Sequence, residues 1–271
     1  MSKLVKDFYT QSVRKEWLRL IRSPYRRLEF ETTLNFLKKH LPDRELVLDA
    51  GGGPGRYTIE LAKMGYEMVL LDYTPRLLEF AKRQTRKAKV ENRVKQIIEG
   101  SISDLSMFKD NQFDGVICLG GTLSHILDKT EREKAIAELV RVAKQDAPVF
   151  VSVIGRFAIL INELVNFPEE IVPLLERMRD KGEYRGGYGF APCYFFMPEE
   201  LKKLMENQGT KTLEMVGLEG LASHHPRKLN RLAKTNLEAY KIWLETHAET
   251  CTHPAVVAMS EHFMIISRKS G

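Results

Sequence analysis

The stretch Leu46–Tyr57 reads LVLDAGGGPGRY. Apolar residues lead into Asp49, the acid leads into four glycines interrupted once by Pro54, and the glycines open onto a helical pattern. A short apolar run that stops at a glycine cluster is a strand ending in a turn. Glycine takes positive φ cheaply and lets a ligand approach the backbone, and a helix that starts there turns N–H groups toward the same place. The segment predicts a strand, a tight turn and a helix, with a ligand at the turn.

Working outward, short apolar runs alternate with helical patterns. The runs are Leu46–Asp49, Met68–Asp72, Val94–Glu99, Val116–Leu119 and Val149–Ile154, with helical stretches near 55–64, 75–89 and 131–144. Strands separated by helices of that length form βαβ crossovers, and apolar residues on consecutive positions mean that both sheet faces are covered. The first forty residues read as two helices interrupted at Pro24. Residues 156–181 read as helical with breaks at Pro168 and Pro173, followed by the aromatic turn-rich stretch Tyr184–Phe196. A helix after Pro198, a strand at Lys211–Leu218, one long helix from Leu229 to Glu249 and a closing strand His262–Arg268 complete the reading. The organisation expected is a helical N-terminal cover over 1–40, a ligand-binding core over 41–155, an inserted lid over 156–198, too long for an ordinary connection, and the rest of the core over 199–271.

Two ligand classes use a glycine turn of this kind. Dinucleotides require G-x-G-x-x-G, whose third glycine lets the helix pack close to the strand. Counted from Gly51 the third position is Arg56, and from Gly53 it is Thr58, so the pattern fails in both frames. What remains is D-x-G-x-G-x-G across Asp49, Gly51, Gly53 and Gly55.

With that motif the sequence resembles the class I S-adenosylmethionine-dependent methyltransferases, over about residues 40–155 and more weakly to the last strand. The resemblance implies an α/β, Rossmann-like, doubly wound seven-stranded sheet of order 3-2-1-4-5-7-6 with strand 7 antiparallel, and S-adenosyl-L-methionine as cofactor. It places Asp49, Gly51, Gly53 and Gly55 at the cofactor. Asp72, 23 residues after Asp49, falls where a carboxylate accepts both ribose hydroxyls, and Thr74 matches the small hydroxyl residue beside it. Ser101 and Ile102 stand at the adenine position, Ser101 replacing the usual acid, and Leu119 and Gly120 stand beside the methyl.

Methyl transfer is an in-line displacement at an already activated carbon, so the protein positions two partners and excludes water. A base is needed only for a protonated acceptor. His125, just past the fourth strand at the carboxyl edge, is one catalytic candidate. Tyr9, an aromatic residue of the N-terminal cover with a cation–π reason to face a sulfonium, is the other. Arg156, Tyr188, Tyr194 and His224 are candidates for holding the acceptor.

The chain has 271 residues, 43% hydrophobic and 29% charged, which excludes wholesale disorder. No 18-residue apolar run lacks a charge, and the N-terminus has no secretory apolar segment. Three separated cysteines, Cys118, Cys193 and Cys251, exclude a disulfide scaffold and a cysteine-built zinc site, fit a reducing cytoplasm, and no metal is expected. Net charge is +6, but the basic residues are dispersed, and the run Lys82–Lys89 lies on a helix as a solvated face. No N/D-P-P-Y/F follows the fourth strand, where LGGT stands instead, and no nucleic-acid module is visible. The preferred acceptor is therefore an enclosed small molecule, with no membrane partner. The alternatives are an RNA or protein methyltransferase and a cofactor-binding protein without transfer activity.

Overall fold

A computed structural model describes residues 2–186 and 190–270. Its centre is β1 (Leu46–Ala50), flanked by β2 (Glu67–Asp72) and β4 (Gly115–Cys118), both parallel to it. β3 (Val94–Glu99) lies outside β2, and β5 (Pro148–Ile154) outside β4. β9 (His262–Lys269) pairs antiparallel with β5, and β8 (Thr210–Gly217) pairs antiparallel with β9. The sheet order is β3-β2-β1-β4-β5-β9-β8, the seven-strand order expected, with β9 the one strand that runs against the rest.

Alternation sends neighbouring side chains to opposite faces. Leu48, Val69, Val116 and Val151 enter one core, while Val47, Met68, Ile117 and Phe150 enter the other. α6 (Lys129–Val142) and α9 (Pro198–Glu206) cover the first face through Ile136, Leu139, Leu201 and Met205. α3 (Pro24–His40) and α4 (Arg56–Lys63) cover the second through Leu37, Ile59 and Leu61. α5 (Pro75–Lys87) turns Leu78 and Ala81 onto Leu70, and leaves Lys82, Arg83, Arg86 and Lys87 in solvent.

Three local expectations are corrected, and three short elements were not expected. The N-terminal segment forms three helices, because the chain breaks at Ser12 between α1 (Lys3–Gln11) and α2 (Val13–Arg19), before α3. Pro173 does not interrupt. It sits in the first turn of α8 (Ile171–Lys181), where no intrahelical N–H is required, so the break between α7 (Arg156–Asn166) and α8 falls at Pro168 alone. The long helix at 229–249 is two, α10 (Pro226–Thr235) and α11 (Leu237–Thr250), because the Asn236 side chain caps the second by accepting from Ala239 N–H. The hairpin β6 (Glu183–Tyr184) with β7 (Cys193–Tyr194) and the short α12 (Pro254–Met259) had no distinct signal.

Candidate active site

The carboxyl ends of β1, β2 and β4 meet at the glycine turn. Gly51 and Gly52 both donate to the Leu71 carbonyl, Gly53 donates to Asp72 Oδ2 at 2.9 Å, and Gly55 donates to the Gly52 carbonyl. Four amides of the turn are thus engaged by the protein, so the turn does not present them to a diphosphate. Gly51 sits at φ +80°, where a Cβ would stand 2.3 Å from the Thr122 methyl. Gly52, which the motif reading passed over, is needed as well, since a Cβ there would lie 2.4 Å from the Asp49 carboxyl.

Asp49 is fully buried; one oxygen accepts from Thr58 Oγ1 at 2.6 Å and the other, Oδ1, has no partner. Burial pushes its carboxyl up to about 7. Asp72 accepts from Gly53 N–H on one oxygen and Thr74 N–H on the other, which fixes the carboxylate plane and leaves lone pairs for further donors. Burial pushes it up to about 6. Asp49, Gly51, Gly53, Asp72, Thr74, Leu119, Gly120, Tyr9 and His125 all line one narrow cleft of about 70 Å³, together with Glu16, Arg19, Arg56 and Leu77. Gly55 lies outside this lining and caps α4 at φ +80°.

A larger cavity of about 410 Å³ adjoins it. Tyr9, Glu16, Arg19, Gly120 and His125 border both spaces. Tyr9 Oη and His125 Nε2 are 2.7 Å apart, and His125 Nδ1 is 3.0 Å from the Pro192 carbonyl. A carbonyl only accepts, so Nδ1 carries the proton, Nε2 is the acceptor, and the Tyr9 hydroxyl donates to it. Burial holds His125 below the usual imidazole range. Burial likewise raises the Tyr9 phenol. The pair is therefore neutral at pH 7, and the outer lone pairs of Tyr9 Oη remain for a donor in the cavity.

Arg19 is the residue the sequence reading missed. Its Nε donates to Glu16 and its Nη1 to the buried Glu29, while its Nη2 stands 3.1 Å from where a Cβ on Gly120 would lie, between the two spaces. Deeper in the same wall, Arg26 pairs with Glu261, and His262 pairs with Glu219. Against the opposing effect of burial, the carboxylates of Glu29 and Glu219 raise His262 to about 9. Glu29, Glu219 and His262 offer atoms within 4.8 Å of one another, yet a protonated imidazole does not ligate a metal, and the acids already hold cations.

Other sequence candidates are placed elsewhere. Arg156 is buried with its Nη2 2.9 Å from both Glu200 oxygens and its Nε on the Phe195 carbonyl, so it joins α7 to α9 and faces neither cavity. Tyr194 lies against the Arg132 guanidinium, 3.8 Å from ring centre, and donates to Glu200, which turns it away from both cavities. His224 follows β8 but lines neither cavity, and its Nε2 is buried without a partner. Tyr188 lies outside the described residues. Ser101 Oγ is 3.0 Å from Ser103 Oγ, and Ile102 is packed in the core, so neither borders the cleft.

Residues 47–146 match a family model described as a methyltransferase domain. Residues 47–146 thus carry the methyltransferase-domain match, on a fold shared with S-adenosylmethionine-dependent methyltransferases. Among its relatives is a glycine/sarcosine N-methyltransferase of Parasynechococcus marenigrum, 32% identical over 51% of this chain and 48% of the relative. A ubiquinone biosynthesis O-methyltransferase of Xanthomonas axonopodis is 25% identical over 72% of this chain and 75% of its own length. The chain thus spans about half the length of the first of these. A S-adenosylmethionine-dependent methyltransferase structure from Methanosarcina mazei superposes with a TM-score of 0.61 at 20% identity, covering 87% of this chain and 97% of that one. No helix among the described residues is long and apolar enough to cross a membrane.

Proposed function

We propose that this chain transfers a methyl group from S-adenosylmethionine to an enclosed small molecule. The observation that carries this reading is the shared wall: Tyr9, Arg19, Gly120 and His125 border both the cleft over the glycine turn and the 410 Å³ cavity beside it. Two spaces that meet at a few side chains are what an in-line transfer between two bound partners requires.

The residues present fit the donor. Asp72 keeps acceptor capacity for the ribose hydroxyls, Asp49 keeps an unpartnered buried oxygen for an N–H donor, and Arg19 keeps Nη2 for a carboxylate. When bound, the donor supplies a methyl group already activated by its sulfonium. The chain's own part is positioning and proton handling. An acceptor hydroxyl or amine donates to Tyr9 Oη. As it becomes the nucleophile its proton passes to Tyr9, and the Tyr9 proton passes to His125 Nε2. The Pro192 carbonyl holds Nδ1–H and stabilises the imidazolium that forms. The helices α1–α2 and the insertion 156–198 exclude water from this step.

Titration calorimetry with S-adenosylhomocysteine and with NAD, followed by transfer of a radiolabelled methyl group to a small-molecule pool, to RNA and to protein, tests the proposal. Binding of the homocysteine derivative with label entering the small-molecule fraction supports it. Label entering RNA with a steep fall of affinity in salt replaces it with the nucleic-acid reading.

A further inference from the structure

Four carboxylates among the described residues line the 410 Å³ cavity: Glu16, Glu163, Glu170 and Glu261. Glu16 and Glu261 are matched by Arg19 and Arg26 at 2.8 and 3.0 Å. Glu163, on α7, is not matched. It is 5% exposed and its Oε2 is closed to solvent without a hydrogen-bond partner, while its side chain also hydrogen-bonds with the neighbouring Glu170 carboxyl, and Glu169 adds a further negative charge. Burial and Glu170 together push its carboxyl up to about 7. Two acids in contact in an enclosed space hold a proton between them unless a cation joins them, and Glu163 Oε2 is left to take that cation.

The surroundings specify which cation. Phe167, Tyr184, Phe190 and Phe195 line the same cavity, and Tyr184 Oη lies 3.4 Å from Glu170. Aromatic faces attract an organic ammonium and give no ligand to a metal ion. Tyr9 and His125 line the same cavity, with the Phe190 ring 5.8 Å from the His125 ring.

We propose that Glu163 anchors a protonated amine carried by the methyl acceptor, a small organic ammonium whose methylated atom lies beside Tyr9 and His125 in the same cavity. This rests on the methyltransferase reading and adds the substrate class to it. The carboxylate of Glu163 takes the ammonium N–H, and the rings cover the carbon skeleton.

The test uses the full chain saturated with S-adenosylhomocysteine and three matched probes: phenethylamine, 2-phenylethanol and phenylacetate. By calorimetry at pH 7.5, phenethylamine should bind at least tenfold more tightly than the neutral and the anionic probe. Glu163→Gln should remove that preference while leaving the affinity for S-adenosylhomocysteine unchanged, and Glu163→Asp, which keeps the charge, should retain part of it. If phenethylamine does not bind, or binds no better than the other two, or if Glu163→Gln melts higher yet keeps the preference, the proposal is overturned. Failure to bind S-adenosylhomocysteine at all is a separate outcome, and it would overturn the methyltransferase reading beneath this one.

Discussion

The Tyr9 hydroxyl and His125 Nε2 stand 2.7 Å apart although 116 residues separate them, one on the first helix and the other just past β4. Neither is a base alone. Burial raises the phenol, and the imidazole has its second nitrogen committed to the Pro192 carbonyl. Under the proposed function, together they would form a path along which a proton leaves the acceptor. Tyr9→Phe and His125→Gln should each lower kcat by about 10²–10⁴, the range for general acid–base catalysis. The double variant should be no slower than the slower single one, because both remove the same path. Additive losses in single-turnover assays would show two independent roles.

The pH profile follows from the same pair. Under the proposed function His125 acts as the neutral base, and burial holds it below the usual imidazole value. The rate should therefore stay level from pH 8 to about 6.5 and fall only below that, where an unshifted imidazole would already be half protonated. A fall beginning above pH 7 would mean that His125 is not the base.

Asp72 and Ser101 are ordered by their surroundings. Asp72 borders the cleft with free lone pairs, whereas Ser101 is engaged with Ser103. Asp72→Ala should weaken S-adenosylhomocysteine by about 2–3 kcal/mol, the range for hydrogen bonds to a charged group. Ser101→Ala should cost less than about 1 kcal/mol. The reverse order in calorimetry would relocate the ribose.

Asp49 is a buried carboxyl raised to about 7 from an ordinary 3.8. Between those values the folded chain holds a proton that the unfolded chain has lost, so stability falls as pH rises through that window and stays low above it. Asp72, raised to about 6, acts with the same sign. Asp49→Asn should therefore raise the ligand-free melting temperature at pH 8, by about 1–3 kcal/mol of stability, and flatten its decline between pH 4 and 7. It should also weaken the donor. Lower stability at pH 8 would show that the acid is paid back by contacts within the chain itself.

Arg156 tests whether a sequence candidate has been rightly moved from the site to the scaffold. Its guanidinium meets both Glu200 oxygens and the Phe195 carbonyl. Arg156→Met should destabilise the chain by about 1–3 kcal/mol, since it leaves a half-exposed carboxylate and a carbonyl without their donor. Affinity for S-adenosylhomocysteine, measured well below the melting transition, should not change.

The sheet was legible because consecutive apolar residues such as Leu46–Leu48 and Val149–Val151 carry the signature of strands covered on both faces, and because glycines announce the turn at Gly51–Gly55. Cleft-lining residues on those strand ends, Asp49, Asp72 and Gly120, follow from position along the chain. Residues that reach the site from helices do not. Arg19 and Glu163 look like ordinary polar residues on amphipathic helices, and only their three-dimensional neighbours give them meaning. Arg156 and Tyr194 misled for the opposite reason: a charge after β5 and a ring in an aromatic stretch look available until Glu200 and Arg132 are found holding them. Asn236 was read as one more helical position, although its side chain starts a new helix.

The cleft above the glycine turn measures about 70 Å³, and Arg56, which lines it, packs against Trp17 of α2. The Arg56 guanidinium stacks 3.4 Å from the Trp17 ring centre and donates to its carbonyl, fastening α2 over the turn. The larger cavity has its own rim at the exposed Lys15 and Arg22. With that latch closed, exchange of a donor bound over the turn would require α2 to lift, whereas the larger cavity also reaches the surface at Arg22, beyond the end of α2. Steady-state turnover should be ordered, donor first on and its demethylated form last off. S-adenosylhomocysteine should then inhibit competitively against the donor and noncompetitively against the acceptor, and loosening the latch with Arg56→Ala should speed turnover wherever that last departure sets the pace.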